Sequence, residues 1–395
     1  MIRSIRADSL FPIASPPIRD GVLTFVEETG TVLSLGSYQQ GMPDVDTYFP
    51  GILIPGFINA HCHLELSHLA GEIPSGTGLL SFLQAVVRLR DFSADLIRSA
   101  LEAQDKAMWD VGIMAVGDIS NKLDTAECKR NSRLRYATFV EFFDFLQPTL
   151  MARSVAQYRD VFGAFQPKPG DTLSAVPHAP YSVSEDLFRE IDSLNPPDAV
   201  VSIHNQETIH EDLLFRNGGG DFPSFFRDFG LDFSAFKPTG KASLYYALQY
   251  LNPSRKNLFV HNTLTGAEEL ASVAAWTRGG AWWVTCPNAN LYIENRLPDY
   301  RLFLDAKANV CLGTDSLSSN WTLSILDELK TLSRFCSWIP PETLLKWATL
   351  NGAEALGMAQ TLGSLEPGKT PGILQLYPVS TSGHFLPETR VRRIA

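Results

Sequence analysis

A chain of 395 residues that is 45% hydrophobic and 19% charged has the composition of a globular protein able to bury a large core, which excludes a disordered chain. Its formal net charge of −10 excludes a surface of clustered Lys and Arg, from which nucleic-acid binding draws its affinity, so the expected partner is a small molecule. The five cysteines, Cys62, Cys128, Cys286, Cys311 and Cys336, are scattered without a C-x-x-C, which argues against a disulfide framework and for a reducing compartment.

The opening MIRSIRADSLFPIASPP carries two arginines but no apolar run of signal-peptide length. No later stretch approaches ~18 apolar residues, so the expectation is a cytoplasmic protein with no membrane partner. The segment VLTFVEETGTVLSLG reads as short strands joined by turn residues. From residue 51 onward, short apolar runs alternate with longer segments of helical spacing, the pattern of repeated βα units. Eight such runs follow in order: GILIPGFI (51–58), GIMAVGDI (112–119), LRYATFVEFF (134–143), TLSAVPHA (172–179), VVSIHN (200–205), NLFVHN (257–262), AWWVTCP (281–287) and NVCLGTD (309–315). The connection over about 206–256 contains Gly218-Gly219-Gly220 and is long enough for a lid or substrate wall. The tail LGSLEPGKTPGILQLYPVS returns to short strands. The expected fold class is therefore α/β, a (β/α)8 TIM-type barrel over residues 55–358. A small β-sandwich-like domain is expected from both termini, residues 1–54 and 359–395.

Five of the eight histidines, His61, His63, His178, His204 and His261, fall at or just past the carboxyl ends of these runs, the rim on which barrel enzymes build function. His61 and His63 share one side of an extended segment because side chains alternate with a period of two. Alone such a pair is weak, but His204 ends the fifth run and Asp315 the eighth, adding a nitrogen and a hard oxygen to the same rim. Three imidazoles and a carboxylate are a ligand set for one divalent ion, Zn2+ in the first place and Fe2+ as the alternative. Singly, Asp315 reads equally as a helix N-cap and His204 as a satisfied core histidine; together, each at a strand end, they read as a metal centre. Glu207, three residues past His204, is placed to carry a proton, and His261 to orient an attacking hydroxide. The expected catalytic residues are Glu207, His261 and Asp315. No P-C-x-x-C, G-x-S-x-G or G-x-G-x-x-G occurs in the chain, which removes the zinc deaminases of that ligand pattern, the serine hydrolases and dinucleotide chemistry.

The blocks PGFINAHCHLELS, VPHAPYSVS, HNQET, FVHN, TCPNANLYI and LGTDSLSSNWTLSILDELK resemble, in order, those of the amidohydrolase superfamily. They are most similar to its aminohydrolase branch and, within that, to aminodeoxyfutalosine deaminases. The resemblance implies that His61, His63, His204 and Asp315 are metal ligands, that Glu207 shuttles protons, that His261 assists the attack and that His178 faces the substrate. TLSAVPHAP lacks the bridging lysine of two-metal relatives, which implies a single ion. The segment Gly368-Lys369-Thr370-Pro371-Gly372 departs from the usual pattern, which bears on strand register at the C-terminus. The implied activity is hydrolytic deamination of a 5′-modified adenine nucleoside such as aminodeoxyfutalosine. Guanine or another nucleobase, a cyclic amide or a chloro-heterocycle are the alternative substrates, and a non-catalytic binding protein is the alternative class. Glu65 reads either as an acceptor for a ribose or ring N–H group or as a solvated loop carboxylate, and Arg88, Arg90 and Arg216 are candidates for an acidic substrate handle. A homodimer is the expected assembly.

Overall fold

The computed structural model describes residues 1–40, 45, 47–234 and 236–395, with the side chain of residue 148 left aside. Strands β1 (Ile2–Leu10), β2 (Ile18–Val26), β3 (Thr31–Ser37) and β4 (Thr47–Pro55) open the chain. Eight further strands follow: β5 (Phe57–Cys62), β6 (Ile113–Ser120), β7 (Arg135–Phe142), β8 (Thr172–Pro177), β9 (Val200–Asn205), β10 (Lys256–His261), β11 (Ala281–Thr285) and β12 (Val310–Leu312). The tail supplies β13 (Ile373–Val379) and β14 (Phe385–Arg393).

β5 to β8 form one parallel four-stranded sheet and β9 to β12 another. Every residue of β5 and β9 is buried, as expected of parallel strands covered on both faces. The two sheets adjoin at both edges. Cys62 bridges Asp315, with the amides of Thr314 and Asp315 donating to His61 O at 2.9 and 3.1 Å. On the other side His204 N donates to His178 O at 2.9 Å. Helices between the strands begin where hydroxyl side chains satisfy free N–H groups, as Ser184 does for Glu185–Leu194 and Ser324 for Ile325–Phe335.

The run 51–58 is split between two sheets. It breaks at Gly56, where a Cβ would collide with Met114 Cγ and lie 2.7 Å from Pro371 O, so only glycine lets the chain cross from β4 to β5. The terminal strands form a single six-stranded sheet in the order β14-β13-β4-β1-β2-β3, not the sandwich-like pair expected from the sequence. The reason lies in the period of two. Ile52, Ile54, Leu374 and Leu376 join the main core, while Phe49, Leu53 and Ile373 join a small core with Ile5, Leu23 and Phe25. One face of the sheet is thus covered by the main body and needs no second sheet. The long connection between β9 and β10 holds the helices Ile209–Asn217, Phe222–Asp228 and Ser243–Tyr250. Its Phe215, Phe222, Phe225 and Phe226 pack with Leu79 and Phe82 of the helix Leu79–Leu89 into a separate aromatic cluster. No helix among the described residues is long and apolar enough to cross a membrane.

Candidate metal centre

His61 ends inside β5 and His63 lies just beyond it, their ring centroids 4.9 Å apart. His204 on β9 brings its Nε2 to 3.3 Å from His63 Nε2. Asp315, directly after β12, places Oδ1 3.5 Å from His63 Nε2 and 3.7 Å from His61 Nε2. His61 is fully buried, and neither of its ring nitrogens has a hydrogen-bond partner among the described residues. A buried ring with neither nitrogen paired is costly unless something else takes the lone pair of its unprotonated nitrogen. The imidazoles are in the right state for it. Burial above all lowers His63 to about 3 and His261 to about 4, and puts His204 well below the usual histidine value. Burial alone would raise the Asp315 carboxyl, but the approach of His61, His63 and His261 outweighs it and holds the group below the usual carboxylate range. Neutral nitrogens and an ionised oxygen converging in this way fit a divalent ion.

The backbone is bent to make this convergence. Asp315 has φ 58°, His261 φ 73°, Asn262 φ 60° and Gln206 φ 48°, all in the left-handed region that non-glycine residues avoid. Each is tied down. Thr263 Oγ1 donates to the carbonyls of Gln206 and Glu207, Asn205 Nδ2 to Asn262 Oδ1 at 2.9 Å, and Ser319 Oγ to Asp315 Oδ2 at 2.6 Å. The serine contact leaves Oδ1 facing the histidines. Asn290 Nδ2 lies 3.4 Å from His261 O, which orients the amide so that its Oδ1 accepts from His261 Nδ1 at 2.9 Å. His261 Nε2 is therefore the unprotonated nitrogen, and it faces Glu207 Oε1 at 3.7 Å.

Glu207 is buried, and burial first, then the charges of Asp315, Glu211 and Glu294, raise its carboxyl well above the ordinary range. Its backbone amide is pinned by Glu211 Oε2 at 3.0 Å. His178 donates from Nδ1 to Ser182 Oγ at 2.6 Å, because that hydroxyl already gives its proton to Ala179 O. His63, His178, His204, Glu207, His261 and Asp315 all line one cavity. Leu79, Phe82, Phe143, Phe145, Phe225, Phe226 and Ile293 supply its apolar wall.

Of the remaining sequence candidates, Glu65 and Arg90 line the cavity, 3.7 Å apart. Glu65 is buried and accepts from the amides of Asn121 and Lys122, so it is no solvated loop carboxylate. Arg216 is paired with Asp212, and Arg88 is exposed; neither is among the residues lining the cavity. Asn290, Ser319, Asn121 and Glu141 escaped the sequence reading. Asn290 and Ser319 lay in quoted blocks, and Glu141 showed only as one carboxylate in the apolar run LRYATFVEFF.

An adenosine deaminase of Helicobacter pylori is 29% identical over 353 residues, which covers 86% of this chain and 83% of that protein. An aminodeoxyfutalosine deaminase of Nitratiruptor is 26% identical, covering 78% and 74%. Among solved structures, the Helicobacter pylori aminofutalosine deaminase in complex with methylthio-coformycin superposes with a TM-score of 0.79 at 24% identity, covering 96% of this chain and 94% of that one. A zinc-bound adenosine deaminase from Xanthomonas campestris superposes at 0.70 with 22% identity, covering 94% and 84%; both likenesses are of fold. The profile of the amidohydrolase family matches residues 52–378, the whole stretch that carries the histidines, Glu207 and Asp315, and the chain belongs to that family.

Proposed function

We propose that this chain is a metal-dependent hydrolytic deaminase of an amino-substituted purine ring, its substrate a 5′-modified adenine nucleoside of the aminodeoxyfutalosine kind. The observation that carries the reading is the convergence of four ligand-competent side chains with a buried Glu207 at one cavity. The names of relatives that act on adenosine, aminodeoxyfutalosine and methylthioadenosine support it. The two parallel sheets read as halves of one (β/α)8 barrel over residues 55–358, with 1–54 and 359–395 forming the terminal domain.

His61, His63, His204 and Asp315 would hold one ion, Zn2+ or Fe2+. A single ion is favoured because His204 Nδ1 already donates to His178 O at 2.8 Å. That ring has only Nε2 to offer, on the side of His63 and Asp315. Bound there, the ion supplies Lewis acidity that makes a hydroxide nucleophile available near neutral pH. Glu207 takes a proton from the attacking water and delivers it to the ring nitrogen beside the attacked carbon, which makes that carbon electrophilic. His261, with Nδ1 committed to Asn290, accepts from the same water through Nε2 and, with Asp315, fixes its direction. The second proton of that water, left on the hydroxyl of the adduct, passes to the departing amine as the C–N bond breaks, so that water and the aminopurine become ammonia and the oxo-purine. His178 faces the ring, and the wall of Phe82, Phe225 and Phe226 accepts an apolar 5′ substituent.

Coupled ammonia detection with aminodeoxyfutalosine, adenosine, methylthioadenosine, S-adenosylhomocysteine and guanine tests the reading, alongside elemental analysis. We expect one metal equivalent and a kcat/KM for aminodeoxyfutalosine at least about tenfold above that for guanine. Efficient turnover of guanine with none of the nucleosides overturns it, and two tightly held equivalents overturn the single centre.

A further inference from the structure

The cavity holds a second pair of buried carboxylates that the deamination chemistry leaves unused. Glu65 follows β5 and Glu141 lies on β7; they are 4% and 2% exposed, and both line the cavity. One residue holds them together. Asn121 donates its backbone amide to Glu65 Oε2 at 2.8 Å and its side-chain Nδ2 to Glu141 Oε2 at 3.1 Å. Each carboxylate therefore has one oxygen fixed by the protein and one left over. Among the described residues Glu65 Oε1 has only Arg90, at 3.7 Å, too far for a hydrogen bond. Glu141 Oε1 has no hydrogen-bond partner among the described residues. The nearest candidate donor, His204 Nδ1 at 3.4 Å, spends its proton on His178 O at 2.8 Å.

A buried acceptor without a donor is costly, and Glu141 Oε1, held near Glu65 Oε1 through a single asparagine, makes a place for a ligand that brings two adjacent donors. We infer that Glu141 and Glu65 form an acceptor pair for the two neighbouring hydroxyls of the substrate's sugar, with Glu141 the residue that makes the enzyme demand an intact vicinal diol. This rests on the nucleoside reading above. It deepens that reading by fixing the sugar on the β5 to β7 side of the cavity.

The test compares adenosine, 2′-deoxyadenosine and 3′-deoxyadenosine as substrates of the metal-loaded wild type and of Glu141→Met and Glu141→Gln, with metal content measured on each protein. In the wild type, removing a hydroxyl should lower kcat/KM at least about tenfold, because the acceptor is left unpaired. Glu141→Met should lower the value for adenosine by a similar factor. It should leave that of at least one deoxynucleoside within about threefold of wild type, at unchanged metal content, since no hydrogen bond remains to be lost there. Glu141→Gln, which can still pair with a hydroxyl, should recover part of the loss. Equal turnover of ribo and deoxy substrates by the wild type overturns the inference without any variant. Equal losses on all three substrates, or loss of metal in Glu141→Met, also overturn it and assign Glu141 to positioning His204. A wild type that turns over guanine and no nucleoside fails the parent reading instead, and the inference with it.

Discussion

Glu207 and His261 meet at 3.7 Å beside His61, His63, His204 and Asp315, one with its carboxyl raised by burial, the other keeping a lone pair at Nε2 because Asn290 takes its N–H. Glu207→Gln preserves volume and removes the proton carrier. General acid-base catalysis is worth ~100- to 10,000-fold, so kcat should fall by at least the lower figure while one metal equivalent stays bound. Steady-state kinetics with elemental analysis decides it: loss of metal would make Glu207 a ligand, and near-normal turnover would remove it from the mechanism. The residues of this site differ in how visible they are in the sequence. His61, His63, His204 and Asp315 can be read together because each lies at or just past the end of an apolar run, and strand ends in such a fold share a rim. Asn290 cannot, because it sits in the helix Pro287–Glu294 and reaches His261 only through the packing of two distant segments.

At the scale of elements, β5 owes its position to a buried ion pair. Asp118 on β6 accepts the amide of Leu64 at 2.7 Å, immediately after His63, and its other oxygen lies 2.6 Å from Lys129 Nζ. Lys129 is itself nearly buried and also donates to Ser120 Oγ and Thr138 Oγ1. Burial raises the Asp118 carboxyl, and Lys129 works against that rise. Breaking a buried pair by removing one partner strands the other charge, so Lys129→Met should cost about 3–5 kcal/mol in urea unfolding. Adding Asp118→Leu should return part of it, limited by the lost contact to Leu64 N; a single variant as stable as wild type would show that the pair contributes nothing. The elements themselves were legible to different degrees. Each of the eight runs holds a strand, since continuous apolar stretches are what parallel strands buried on both faces require. The break at Gly56 was not, because the glycine is demanded by Met114 and Pro371 across a gap in sequence that no local pattern reports. Nor was the single terminal sheet, since alternation tells that both faces are apolar and does not tell what covers them.

Over the whole molecule the recurring electrostatic feature is the buried carboxyl. Burial is the leading cause that raises Glu65, Asp118, Glu141, Glu207, Glu211 and Glu328 above the ordinary carboxylate range. Glu328, on the helix Ile325–Phe335, illustrates the consequence. Burial pushes it up to about 8, against the opposing pull of Asn288 N and Asn320 Nδ2, which both donate to it. In the unfolded chain the group titrates near ~4.5, so between there and about 8 the native state binds a proton that the unfolded state does not. Unfolding free energy then falls with rising pH: the contribution is complete below the unfolded value and is lost as pH passes through the folded one. The buried histidines act in the opposite sense, but their window closes near the unfolded histidine value of ~6.5. The lowered Asp315 titrates below the range altogether. Between pH 7 and 8.5 the carboxyls are therefore left to dominate, and for one group with these values the expected loss is about 1 kcal/mol. Urea midpoints of chelator-treated protein should fall across that interval. They should fall less steeply in Glu328→Gln, which mimics the neutral acid at every pH. A midpoint that rises with pH, or an unchanged slope in the variant, would mean that Glu328 is ionised in the folded protein and that its two amide donors outweigh its burial.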